Sequence, residues 1–272
     1  MTTSYATAQE VVPISYGRVS TRRTWWNLLR FLVGARLRLW TQDRVLGFWW
    51  WLLEPMAMTA TYFLMMKMFL GSKQENYPLF IMCSMLPWVW FSTAGSLATQ
   101  ALTRNTRLIK SFRVNYLIFP TAEVLATTVR FVASLGILVI LMAYFRVAPT
   151  RHLLWAPLLI AVQLLFTLGT AYWLALSQVY IEDTSNVWQV VTRIWFFLSP
   201  SIYTLDKVPE RYRLWFSLNP FASLFGSYRA IVIEGRTPMF GYLAITVCLS
   251  VVMIFSGRLI IRRLQGALPL HL

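Results

Sequence analysis

Charge is what this chain lacks first. Only 13% of its 272 residues are charged, and just 10 of them are Asp or Glu. A soluble domain carries about 25% charged residues, so a solvated globular fold is excluded. Cysteine is nearly absent too. Cys83 and Cys248 both lie inside apolar runs, which argues against a structural disulfide. His152 and His271 make no recognisable metal spacing with them. There is no G-x-x-x-x-G-K-[ST], so the chain has no phosphate-binding loop of its own. There is no G-x-S-x-G, H-E-x-x-H or Cys pair either. The first 20 residues are polar, and no cleavable signal peptide is expected there.

What is abundant is apolar length. Hydrophobic residues make up 57% of the chain and come in long runs. A bilayer core of about 30 Å needs about 20 residues at 1.5 Å each, so such runs read as spanning helices. The expected fold is an all-α integral membrane protein with six spans. They are placed near Gly47–Leu70, Tyr77–Leu102, Thr121–Phe145, Leu153–Tyr180, Val187–Leu205 and Phe240–Ile261. Residues 47–265 would form this domain, between a disordered start (1–20) and a short tail (266–272).

Residues 21–46 read differently. Trp25, Leu28, Leu32, Ala35 and Leu39 recur at helical spacing, with Arg22, Arg23, Asn27, Arg30 and Arg44 mostly opposite. That is an amphipathic arm lying in the membrane interface. Arg36 sits imperfectly, near the apolar edge. Residues 206–238 contain a twenty-residue apolar run, Leu214–Ile233, broken by Asn219-Pro220, Gly226 and Arg229. Pro removes a backbone donor and disfavours helix just before it. A re-entrant pair of short helices is expected there, not a seventh span. With six spans, fourteen Lys and Arg share the side of the termini and eight lie opposite. The positive-inside rule then places both termini in the cytoplasm. The net charge of +15 accordingly points to anionic lipid headgroups and not to nucleic acid.

Charges inside the spans are few: Glu54, Lys67, Arg130 and Arg193, with Glu123 near an end. An ion-driven carrier usually shows an intramembrane acid, and Glu54 is the single deep candidate. The energy source is therefore expected to be another subunit.

The motifs then resemble a known family. Leu46-Gly47-Phe48-Trp49-Trp50-Trp51-Leu52-Leu53-Glu54-Pro55 follows the basic arm. Asp183, Ser199-Pro200-Ser201-Ile202-Tyr203, Val208-Pro209, Asn219-Pro220 and Arg229 follow in order. Together they resemble the permease subunit of type-2 ABC exporters for polysaccharides, the group handling O-antigen, capsule and teichoic acid. The arm departs from the family's R-D-x-x-x-R-Y pattern, reading Arg36-Leu37-Arg38-Leu39-Trp40. The resemblance implies a homodimer of permeases with two ATPase subunits, which bind ATP and Mg; no cofactor is expected in this chain. It implies a glycan cargo on a polyprenyl diphosphate lipid, with periplasmic or outer-membrane export components as further partners. The setting would be the bacterial inner membrane. The alternatives are a drug or lipid permease of the same class, a proton-coupled carrier centred on Glu54, and a membrane enzyme acting on polyprenyl lipids.

Site expectations follow. Arg22, Arg23, Arg30, Arg36 and Arg38 would meet the lipid diphosphate, since guanidinium forks suit phosphate oxygens. Trp49, Trp50, Trp88, Trp90, Trp173, Trp195 and Tyr203 would line the pore, as aromatic faces suit sugar C–H faces. Arg104, Arg107, Lys110 and Arg113, with Glu182 and Asp183, would touch the ATPase. Glu54, Pro55, Pro200, Asn219 and Pro220 would form kinks or gates.

Overall fold

The computed structural model describes residues 22–41, 50–69, 76–111 and 114–264. These residues are helical throughout, joined by short turns, with no strand among them. The arm is α1 (Arg22–Thr41), and α2 (Trp50–Phe69) and α3 (Tyr77–Thr99) follow. Next come the short α4 (Thr106–Ser111), α5 (Ile118–Tyr144), α6 (Ala156–Tyr180) and α7 (Thr184–Leu198). The chain ends in α8 (Glu210–Ser217), α9 (Pro220–Arg229) and α10 (Phe240–Leu264).

Among the described residues four helical stretches are long and apolar enough to cross a membrane: Tyr77–Thr99, Ile118–Tyr144, Arg151–Tyr180 and Phe240–Arg263. The other two expected spans are marked down by their own residues. Helix α2 has 20 residues but carries Glu54, Pro55 and Lys67. Helix α7 has only 15, or about 22 Å of rise. It stops at Leu198 and not near Leu205, because Ser199 is extended before Pro200 (φ −91°, ψ 149°).

Helix α3 is the axis of the bundle. Residues Leu79 to Trp88 are all buried, so every face of the helix is covered. It packs against α2, α5, α6, α7 and α9. Over that stretch the helix carries no polar stripe; its half-exposed polar residues, Ser92, Thr93 and Ser96, come later. Helices α6 and α10 pack closely through glycines. A Cβ on Gly169 would stand 2.8 Å from Met253 Cβ, and one on Gly257 3.0 Å from Tyr172 Cβ. Small residues allow such approach where apolar burial against lipid gives little drive.

A second cluster closes one end of the bundle. Leu29 and Leu32 of the arm are buried with Ala101, Leu102, Ile109, Leu117, Ile118, Leu176 and Ile261. At the opposite end the run 214–233 is broken as its Asn-Pro pair predicts. Helix α8 ends at Ser217, and α9 starts at Pro220 with Asn219 as cap, its Oδ1 accepting from Phe221 N at 3.0 Å. Helix α9 begins in the bundle interior. Phe221 is fully buried, 4.7 Å from the Phe91 ring and 4.8 Å from Trp88. The helix then climbs to Arg229, stacked 3.5 Å over Phe80, about 16 Å back along α3 at the helical rise. One π-helical turn, Ala230–Glu234, ends at Gly235 with φ 61°, a left-handed bend that suits glycine.

Candidate functional site

A cavity of about 400 Å³ lies between α2, α3 and α7. Glu54, Met58 and Tyr62 come from α2; Trp88, Ser92, Thr93 and Ser96 from α3; Gln189, Thr192, Arg193, Phe196 and Phe197 from α7. The periodicity of α7 explains the lining. Thr184, Trp188, Thr192 and Phe196 form a packed stripe. Val187, Val191, Ile194 and Leu198 form an exposed apolar stripe. Asn186, Gln189 and Arg193 form an exposed polar stripe. The packed stripe is held tightly: a Cβ on Gly95 would stand 2.3 Å from the Trp188 ring, whose Nε1 donates to Ser92 O at 3.2 Å. The apolar stripe suits lipid, whereas an exposed Arg does not.

Glu54 lies in the groove wall and accepts a hydrogen bond from Arg130 Nη2 of α5 at 3.1 Å. One buried face of α2 is thereby tied to α5, next to Pro55 inside the helix. Sequence reading marked both residues but could not pair them across 76 positions.

The expected aromatic lining divides by location. Trp88 reaches the groove but is mostly buried among Phe91, Trp195, Phe196 and Phe221. Trp90 is buried, stacked on Phe131 at 4.4 Å. Trp195 is half-buried and donates through Nε1 to Asn219 Oδ1 at 3.2 Å. Trp173 sits on the α6–α10 face, where its Nε1 donates to Ser256 Oγ at 3.2 Å. Tyr203 is half-exposed and donates to Phe197 O at 3.2 Å, beside the groove. Trp50 opens α2, and Trp49 lies outside the described residues. Tyr62, Phe196 and Phe197 line the groove without having been singled out; they carried no signal beyond apolar character.

Of the expected kink residues, Pro200, Asn219 and Pro220 lie together where α7 ends and α9 begins, while Glu54 and Pro55 stay with the groove. Asn219 Nδ2 donates to Ser199 Oγ at 2.8 Å, binding α9 to the end of α7. Arg229 is the larger hub. Its Nη1 donates to Pro200 O (2.8 Å) and Tyr203 O (3.2 Å), its Nη2 to Ser84 Oγ (2.6 Å) and Ser201 O, and its Nε to Phe80 O (3.4 Å). The donors are thus spent on four backbone carbonyls and one hydroxyl, the form in which a buried guanidinium is tolerated. A second cavity of about 460 Å³ flanks this hub, with Asp206, Arg213, Glu234 and Tyr242 in its wall.

In the arm, Arg36 Nε meets Glu123 Oε1 of α5 at 2.7 Å, and Glu123 is buried. This explains its place at the edge of the apolar face. Arg23, Arg30 and Arg38 are exposed, while Arg22 opens the helix. Arg104, Arg107 and Lys110 are exposed on the turn and α4 after α3; Arg113 lies outside the described residues. Glu182 and Asp183 are exposed in the link before α7. Gln178 pins that link, donating to Glu182 O (2.7 Å) and accepting from Ser185 N (2.9 Å).

The family model described as ABC-2 type transporter matches residues 27–233, a stretch that takes in most of the arm, the groove, Glu54–Arg130 and the Arg229 hub. The chain belongs to the ABC-2 type transporter family. It is therefore a multi-pass membrane transport subunit, of a class that works with ATPase subunits. It is similar to the O-antigen export system permease protein RfbA of Myxococcus xanthus, with 31% identity over 232 residues, covering 85% of this chain and 89% of that one. It is also similar to the protein of the same name from Klebsiella pneumoniae, at 22% identity over 241 residues, covering 88% and 93%.

Proposed function

We propose that this chain is half of the channel of an ATP-driven polysaccharide exporter, and that the α2–α3–α7 groove is its share of the path. The observation that carries the reading is the polar stripe of α7. Gln189 and Arg193 are exposed on a helix otherwise suited to lipid, and they share a wall with Ser92, Ser96 and Glu54. A lone guanidinium facing hydrocarbon is costly, so that wall faces water, cargo or a second copy. Tyr62, Phe196 and Phe197 add ring faces along which sugars can slide. Kinship with O-antigen export permeases supports a glycan cargo.

On this reading two copies enclose the path, and two ATPase subunits carrying ATP and Mg sit beneath the end that holds the arm, α4 and the 181–183 link. The chain has six spans, α2, α3, α5, α6, α7 and α10, with α8 and α9 re-entrant and both termini in the cytoplasm of an inner membrane. Exposed Arg23 and Arg30, with Arg22 and Arg38, meet the diphosphate of the lipid-linked glycan, while Arg36 fastens the arm to Glu123. An apolar groove of about 380 Å³ between Leu28, Leu32, Leu108 and Phe119 supports a lipid tail at the same place. Glycan released into vesicles holding the permease and its co-purified ATPase tests the function. Release must require ATP; release driven by a proton gradient without the ATPase would replace this reading with a carrier centred on Glu54.

A further inference from the structure

The charge of the groove does not balance. Among the described residues Glu54 is the single acid in its wall, and Arg130 already neutralises it at 3.1 Å. Arg193 is exposed on the same wall and takes part in none of the ion pairs among the described residues. The other polar side chains of the same cavity wall are neutral donors and acceptors, among them Gln189 one turn earlier on α7 and Thr93 and Ser96 on α3. Each protomer therefore brings one uncompensated positive charge to a groove with largely apolar walls, where charge is weakly screened.

We propose that Arg193 is an anion-binding residue inside the groove, and that its ligand is a phosphate-type oxyanion on the cargo. This rests on the groove being the transport path. A guanidinium fork matches phosphate oxygens bidentately, and the amide and hydroxyls beside it can serve the oxygens that the fork leaves over. Two copies facing one another would place two such forks around one path, the charge that a diphosphate needs. Held at one point only, the contact is strong enough to admit the anion and sparse enough to release it.

The test uses the exporter in membrane vesicles, with Cys248→Ala to remove the exposed thiol; Cys83 is fully buried. Gln189→Cys places a reporter about 6 Å from Arg193 along α7. It is modified with an anionic and a cationic methanethiosulfonate reagent. The anionic-to-cationic rate ratio should fall about tenfold when Arg193→Gln is added, the effect of one charge at that range in a wet groove, while Arg193→Lys keeps the ratio. Inorganic pyrophosphate and geranyl diphosphate should slow modification; glucose and glucuronate should not. Protection by geranyl diphosphate at far lower concentration than pyrophosphate assigns the oxyanion to a lipid headgroup, and equal protection assigns it to phosphate alone. A reporter that reacts with both reagents at a ratio indifferent to Arg193→Gln, or that glucuronate protects equally well, overturns the proposal and leaves the path intact. A reporter that reacts with neither reagent overturns the path itself.

Discussion

The Glu54 carboxylate of α2 and the Arg130 guanidinium of α5 stand 3.1 Å apart, joining a groove-lining helix to the outer part of the bundle. Helix α2 rests mainly on α3, so this pair is its chief polar tie elsewhere. Glu54 keeps 41% of its side chain exposed and Arg130 16%, so the pair is only partly desolvated. Glu54→Gln is expected to cost about 1–3 kcal/mol, less than the loss of a fully buried pair. The exchange Glu54→Arg with Arg130→Glu should recover most of it. Thermal unfolding of the purified permease checks the stability, and a double-mutant cycle checks the coupling.

Arg229 supports a second prediction. Its five acceptors lie on α3 and on the loop after α7, so one side chain fixes three parts of the far end. Arg229→Lys keeps the charge but offers three donors on one atom, which cannot reach Ser84, Pro200 and Tyr203 together. The expected loss is about 2–4 kcal/mol from unpaired buried carbonyls. Limited proteolysis should show new cleavage between residues 199 and 207. Unchanged protection there would mean that the loop holds itself.

Much of this architecture was legible because local rules dominate it. Asn219-Pro220 announces the break between α8 and α9, and helical spacing announces the arm. The ends of α7 were less legible, since a 15-residue helix before Pro200 reads as one run with the loop beyond it. Pairings were hidden altogether. Arg36 with Glu123, and Glu54 with Arg130, join residues 87 and 76 positions apart, and nothing in either neighbourhood names the other. The orientation of the aromatics was hidden for a different reason. Helix α3 is buried on all sides from Leu79 to Trp88, so the apolar run that holds Trp88 and Trp90 carries no periodic signal of which face meets the groove.

Gly95 makes a sharp steric prediction. A Cβ there would meet the Trp188 ring at 2.3–2.7 Å, and that ring is held by a hydrogen bond to Ser92 O. Gly95→Ala should therefore push α7 off α3, at about 1–3 kcal/mol for overpacking. Adding Trp188→Phe should relieve the clash, so the double variant melts above Gly95→Ala alone. A double variant no more stable than the single would place the strain elsewhere.

The arm separates anchoring from recognition. Arg36 and Glu123 form a close pair with the acid buried, so Glu123→Gln or Arg36→Ala releases the arm from α5. Breaking such a pair leaves a charge without its partner, at about 2–4 kcal/mol. Arg23 and Arg30 are exposed, so replacing them with Ala should leave stability within about 0.5 kcal/mol. The two sets of variants should then fail differently. Arg36→Ala should lower both the melting temperature and export, and a Cys at Leu29 should become open to thiol reagents. Arg23→Ala with Arg30→Ala should keep Leu29 buried and the melting temperature unchanged, yet lower export of lipid-linked glycan and raise the lipid concentration giving half-maximal ATPase stimulation. If that double variant exports normally while inserting less efficiently, these arginines bind anionic lipid and nothing more.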